Sequence, residues 1–177
     1  MKYCAFLRGV NVNGTVMKMA AVCEVFAAAG MQEVSSVLAT GNILFSSAEN
    51  ISDLKKNLEK VLSEHFKYEA FLFLKTEKEI AEIFKNNPFP KAENLHVYAF
   101  VGNAGIEQKL LDEFNKAQKT EHEAAELIDD IFYWQVPKGN TLDSGFGKVL
   151  GKKTLKPEMT SRNINTIEKI VKKFEKI

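Results

Sequence analysis

Tyr3-Cys4-Ala5-Phe6-Leu7-Arg8-Gly9-Val10-Asn11-Val12-Asn13-Gly14 sets the grammar of this chain. An apolar run ends in an arginine and gives way to a loop of glycines and asparagines interleaved with valines. A helical pattern follows. Near-continuous apolarity over Lys2–Leu7 is the mark of a central strand covered on both faces. The same order returns at Tyr98-Ala99-Phe100-Val101-Gly102-Asn103, again an apolar strand, a Gly/Asn loop and then a helix. A repeated opening implies an internal duplication.

Working outward from the first opening, Met19, Val22, Cys23 and Phe26 lie at i, i+3, i+4 and i+7. They form one face of a helix over about Met17–Ala29, closed by Gly30. Val34–Thr40 and Ile43–Ser46 read as strands of a hairpin bent at Gly41-Asn42. Ser52 offers an N-cap to a helix faced by Leu54, Leu58, Val61 and Leu62, and Glu69–Leu74 is the next strand. Residues 1–75 thus read β-α-β-β-α-β, the order of a ferredoxin-like unit.

Thr76-x-x-Glu79 is a capping box for a short helix carrying Ile80, Ile83 and Phe84. Asn86-Asn87-Pro88-Phe89-Pro90 stops it, so residues 76–91 read as a connecting helix and linker. The pattern restarts in residues 92–177. Leu95–Val101 is a strand, and Leu110, Leu111 and Phe114 mark a helix. Glu123–Ile128 and Ile131–Val136 form a hairpin across Asp129-Asp130, and a helix surrounds Leu142–Leu150. The last element starts near Thr160-Ser161-Arg162-Asn163, three of which are good N-caps. Ile164, Ile167, Ile170, Val171 and Phe174 form its apolar stripe opposite Lys169, Lys172, Lys173 and Lys176, the pattern of an amphipathic helix laid on a sheet. The predicted class is α+β: two tandem ferredoxin-like units with antiparallel sheets, plus a C-terminal amphipathic helix.

Composition narrows the function classes. With 45% hydrophobic and 27% charged residues the sequence is globular rather than disordered. No apolar run approaches the roughly 20 residues that span a bilayer, and the opening strand carries no secretory signal pattern, so a cytoplasmic protein without membrane partners is expected. Cys4 and Cys23 fall at apolar positions and read as free thiols in a reducing compartment. His65, His96 and His122 are scattered without zinc spacing, so neither a metal nor a cofactor is expected. Net charge is +1, yet residues 148–177 hold nine basic groups against three acidic ones.

The motifs Leu7-Arg8-Gly9-x-Asn11-Val12-x-Gly14, Thr40-Gly41-Asn42-x-x-Phe45 and Thr160-x-Arg162-Asn163-x-x-Thr166, in that order, resemble the bacterial domain of unknown function 1697 family. The resemblance spans essentially the whole chain and implies a duplicated ferredoxin-like fold. It departs at Asn13, Thr40 and Ile164, where the family often has glycine, serine and an aromatic. It implies no activity.

Of the 24 basic side chains only Arg8 and Arg162 are arginines. Where lysine serves every other positive position, an arginine suggests a task for a planar fork, such as bidentate contact with carboxylate or phosphate. The expected site is a small-anion site in which the Arg8 loop, with Asn11 and Gly14, meets Thr160, Arg162 and Asn163 at a helix start, with Asn42 contributing. The bland reading is that both arginines brace their own loops and that the asparagines are turn-formers. The loop is neither a Walker A nor a G-x-G-x-x-G sequence. No nucleophile elbow or triad order supports catalysis, Asp129-Asp130 reads as a turn, and Asp143 and Ser144 read as caps. Two other classes stand beside the anion site: a nucleic-acid-binding module using the basic last helix, and a protein-interaction scaffold.

Overall fold

The structure, a computed structural model, describes residues 1–10 and 17–176. They divide into two compact units, Met1–Ala81 with Lys169–Ile177, and Glu82–Glu168.

The first unit begins with β1 (Lys2–Arg8), α1 (Met19–Ala28), β2 (Gln32–Ser36) and β3 (Asn42–Ser46). It continues with α2 (Ile51–Phe66), β4 (Phe71–Thr76) and the start of α3 (Glu77–Lys85). Its antiparallel sheet runs in the order β2-β3-β1-β4. Side chains alternate across a strand, so Tyr3, Ala5 and Leu7 face one side of β1. There they join Val22 and Phe26 of α1 and Leu54, Leu58 and Leu62 of α2 in one core. Cys4 and Phe6 face the other way and are equally buried. Two covered faces explain why the strand reads as unbroken apolarity.

The second unit repeats the plan with β5 (Leu95–Gly102), α4 (Ile106–Lys116), β6 (Ala124–Ile128), β7 (Ile131–Pro137), α5 (Gly145–Leu150) and β8 (Met159–Asn163). Helix α6 (Ile164–Phe174) follows β8 directly, as α3 follows β4. The sheet order is β6-β7-β5-β8, the same permutation as in the first unit. Where the first unit has a 16-residue second helix, the second has only the six residues of α5. Aromatic packing fills the difference. Phe146 of α5 lies 5.4 Å from Phe114, 5.5 Å from Phe132 and 5.2 Å from Trp134, ring centre to ring centre. Such pairs add about 0.5–1.5 kcal/mol each beyond the area they bury. The helix reaches this depth because residue 147 is glycine, since a Cβ there would stand 2.1 Å from the Thr141 carbonyl oxygen.

The duplicated ferredoxin-like fold and the amphipathic last helix are therefore as expected. So are the capping box, closed by Thr76 N–H to Glu79 Oε2 at 2.8 Å and Glu79 N–H to Thr76 Oγ1 at 3.2 Å, and the Asp129-Asp130 turn. Both turn residues are left-handed (φ 47° and 61°), as a tight hairpin requires. Four details differ. The β2–β3 connection is the loop Val37–Gly41, and Asn42 already belongs to β3. Asn50, not Ser52, caps α2, its side chain accepting from Asp53 N–H at 2.9 Å. Helix α5 begins at Gly145, with Ser144 as its cap, so Leu142 stands outside it. Thr160–Arg162 is not a helix start but part of β8, paired with β5 from Gly102↔Met159 to Tyr98↔Asn163. Of the candidate caps it is Asn163, the last residue of β8, whose Oδ1 accepts from Asn165 N–H at the start of α6. A ferredoxin-like sheet needs a fourth strand beside its first, and the pairing overrides the capping preference of Thr and Ser.

Candidate functional site

Arg8 is the last residue of β1, paired with Phe71 of β4. By alternation it shares the side of Cys4 and Phe6. The guanidinium is half-buried, and this loss of water holds its pKa below the ordinary arginine value. Gly9 follows with a left-handed φ of 80°. The Thr40-Gly41-Asn42 motif lies against this end of the sheet, with Leu7 N–H donating to the Gly41 carbonyl at 2.8 Å. The approach is so close that a Cβ on Gly41 would stand 2.8 Å from Val10 Cγ2 and 3.0 Å from Leu7 Cβ. Two of the three motifs singled out in the sequence thus meet at one end of the first sheet. Asn42 serves this junction structurally. It is wholly buried, and its Nδ2 donates to the Val37 carbonyl and to Thr40 Oγ1, each at 2.9 Å. Asn11 and Gly14 lie outside the described residues.

The third motif belongs to the second unit. Because Thr160–Asn163 is strand, its neighbours face opposite ways. Arg162 pairs with Ala99, whose partner on β7 is Tyr133. Directly paired residues share a face. Arg162 is buried there, its Nη1 donating to Thr160 Oγ1 and to the Ser161 carbonyl, both at 2.8 Å. The fork braces its own strand, and it is not at a helix N-terminus. Asn163 instead pairs with Tyr98, on the side of the Phe100 and Trp134 core.

On that side the structure shows residues that sequence reasoning passed over. Asn163 Nδ2 lies 3.1 Å from His96 Nδ1. Asn163 Oδ1 accepts from Asn165 N–H at 2.9 Å. Only the amide oxygen can accept from a backbone N–H, so the NH2 group must face the imidazole. The ring therefore accepts at Nδ1, and its neutral form carries the proton on Nε2. Burial, assisted by the charge of Lys138, holds the His96 pKa below the ordinary histidine value. His96 lines a cleft of about 420 Å³ with Lys91, Glu93, Leu95, Lys138 and Ile164 among its other walls. Nothing in the sequence could pair His96 with Asn163 before the β5–β8 register was known.

Among the described residues no group of three or more His, Cys, Asp or Glu side chains is arranged to hold a metal. Likewise no helix there is long and apolar enough to cross a membrane.

No curated protein matches this sequence. Among solved structures the chain is similar to the conserved bacterial protein SP0830 from Streptococcus pneumoniae, with a TM-score of 0.78 at 19% identity, covering 98% of each chain. That likeness extends the fold, not a function. Residues 1–133 match the family described as Protein of unknown function (DUF1697). The match takes in both motifs that meet around Arg8, runs through β5, α4 and β6 and ends within β7, and this chain is a member of that family.

Proposed function

We propose that this protein binds a small anionic ligand carrying a phosphate or carboxylate, with Arg8 as the residue that takes its charge. The observation supporting this is the half-buried guanidinium at the end of β1, beside the Gly9 and Gly41 loops. A charge partly withdrawn from water interacts more strongly with an opposite one than it does at an exposed surface. The planar fork of arginine matches two carboxylate or phosphate oxygens at once. Gly9, left-handed at φ 80°, turns the chain directly after the arginine, a conformation that glycine adopts without strain. Asn11 and Gly14 belong to the same motif and are its proposed continuation. The location is proposed to be cytoplasmic, in keeping with the two free thiols of Cys4 and Cys23.

This reading does not require Arg162, whose Nη1 already donates to Thr160 Oγ1 and the Ser161 carbonyl. The nucleic-acid reading rests on the lysines of α6, of which Lys173 is committed to the Ser36 carbonyl at 3.0 Å.

A melting-temperature screen against phosphates and carboxylates separates the readings. Anion binding at Arg8 gives a stabilisation that Arg8→Lys removes and Arg162→Lys leaves in place. Nucleic-acid binding gives affinity that falls steeply with salt and with loss of the α6 lysines. A scaffold gives neither response.

A further inference from the structure

The cleft beside His96 lies in the second unit and has no part in the Arg8 reading. Its lining combines Ala92, Leu95, Val97 and Ile164 with the charged Lys91, Lys138 and Glu93. A volume of about 420 Å³ falls at the small end of ligand sites, which run from about 300 to 1,000 Å³. His96 is the imidazole on this lining and is held by hydrogen bonding. Its Nδ1 faces Asn163, whose carboxamide is locked in turn by Asn165 N–H. Among the described residues Nε2 has no hydrogen-bond partner, and it is the nitrogen that carries the proton.

We infer that this cleft is a binding site for an organic monocarboxylate with an apolar body, in which His96 Nε2–H and Lys138 bind the carboxylate and the apolar part of the lining, Ile164 and Ala92 among it, takes the hydrocarbon. Each part follows from the lining. Apolar lining favours a hydrocarbon portion, which an inorganic anion lacks. Two ammonium groups against one carboxylate favour a single negative charge. Glu93 disfavours a dianion, because like charges in one cleft repel. A fixed neutral imidazole donates a directed hydrogen bond without rearranging, which is the usual role of a placed polar group in a mostly apolar pocket. The Asn163 amide is a positioning residue, holding the ring so that Nε2 carries the hydrogen.

The test is a titration of the full chain, labelled with nitrogen-15, with hexanoate and with the neutral isostere hexanamide, followed by NMR. The expected result is saturable shifts at His96, Val97 and Asn165 with hexanoate and none with hexanamide. Lys138→Gln changes an exposed ammonium group and weakens hexanoate by about tenfold, the effect of losing one charge-assisted hydrogen bond. His96→Phe keeps the ring's shape without the donor and also weakens it. Arg8→Lys leaves it unchanged, so this site and the Arg8 site fail or succeed separately. Absence of saturable shifts, equal response to hexanamide, or unchanged affinity in Lys138→Gln would each overturn the inference.

Discussion

Asn163 sets the tautomer of His96. The two residues are far apart in the chain, yet antiparallel pairing of β8 with β5 brings Nδ2 of one to 3.1 Å from Nδ1 of the other. Long-range nitrogen-15 NMR of the histidine side chains should show His96 as the Nε2–H form. In Asn163→Ala the ring should lose this preference and α6 its N-terminal side-chain acceptor, at a stability cost of about 1 kcal/mol. A wild-type ring with its proton on Nδ1 would contradict the assignment.

The same imidazole has a pH signature. Burial first, and the Lys138 charge second, hold its pKa below the ordinary 6.5. The folded protein therefore binds this proton less readily than the unfolded chain does, and protonation favours unfolding. The contribution of neutral His96 is fully present above pH 6.5 and is lost as pH falls through the folded value. Urea midpoints of wild type and His96→Phe, compared on either side of pH 6.5, should converge on the acid side.

Glu79 behaves in the same direction in a lower window. Burial raises its carboxyl, but the Lys75 hydrogen bond, the amide and hydroxyl of Thr76 and the Lys75 charge together outweigh it and hold the pKa below the ordinary 4.5. Ionised Glu79 thus stabilises the fold above pH 4.5, and that contribution fades as acid protonates it. Glu79→Gln should be less stable than wild type at neutral pH and should close the gap below pH 4.5.

Asn42 is fully buried, and both its Nδ2 bonds stay within the β2–β3 junction. Asn42→Ala leaves the Val37 carbonyl without that donor, with an expected cost of about 1–3 kcal/mol in denaturant unfolding. Because Gly41 O holds Leu7 N–H at 2.8 Å, the damage should spread to the Arg8 end of β1. Faster amide exchange at Leu7 in the variant is the measurement that checks it.

Asp130 sits at φ 61°, a conformation that glycine adopts without strain. Asp130→Gly should raise stability by up to about 1 kcal/mol, seen as a melting point higher by roughly 2–4 °C. Asp129 is left alone in this test because it accepts from Asn86 Nδ2 at 2.8 Å.

What the sequence revealed and what it hid follow one division. Elements written in local signals were legible: the apolar run of β1, the Thr76/Glu79 box, the paired aspartates of the β6–β7 turn and the stripe of α6. The duplication was legible because Tyr3–Gly9 and Tyr98–Gly102 place the same strand ahead of the same kind of loop. Strand β8 was not. Thr, Ser and Asn are good helix caps in isolation, and only long-range pairing with β5 makes Met159–Asn163 a strand. That error moved Arg162 onto a helix start, whereas strand alternation sets Arg162 and Asn163 on opposite faces. It also concealed His96, whose role depends on a register that no local pattern encodes. Arg8 kept its place because a strand end followed by Gly9 is a local fact.

The central claim is that Arg8 holds an anion with its fork, and lysine at that position separates a fork from a mere charge. Melting of wild type and Arg8→Lys, each with and without inorganic phosphate and a panel of phosphorylated and carboxylated small molecules, tests it most directly. The account predicts that at least one anion raises the wild-type melting point in a saturable manner and that the rise vanishes in Arg8→Lys. A rise of equal size in both proteins, or no anion that stabilises wild type, would contradict it.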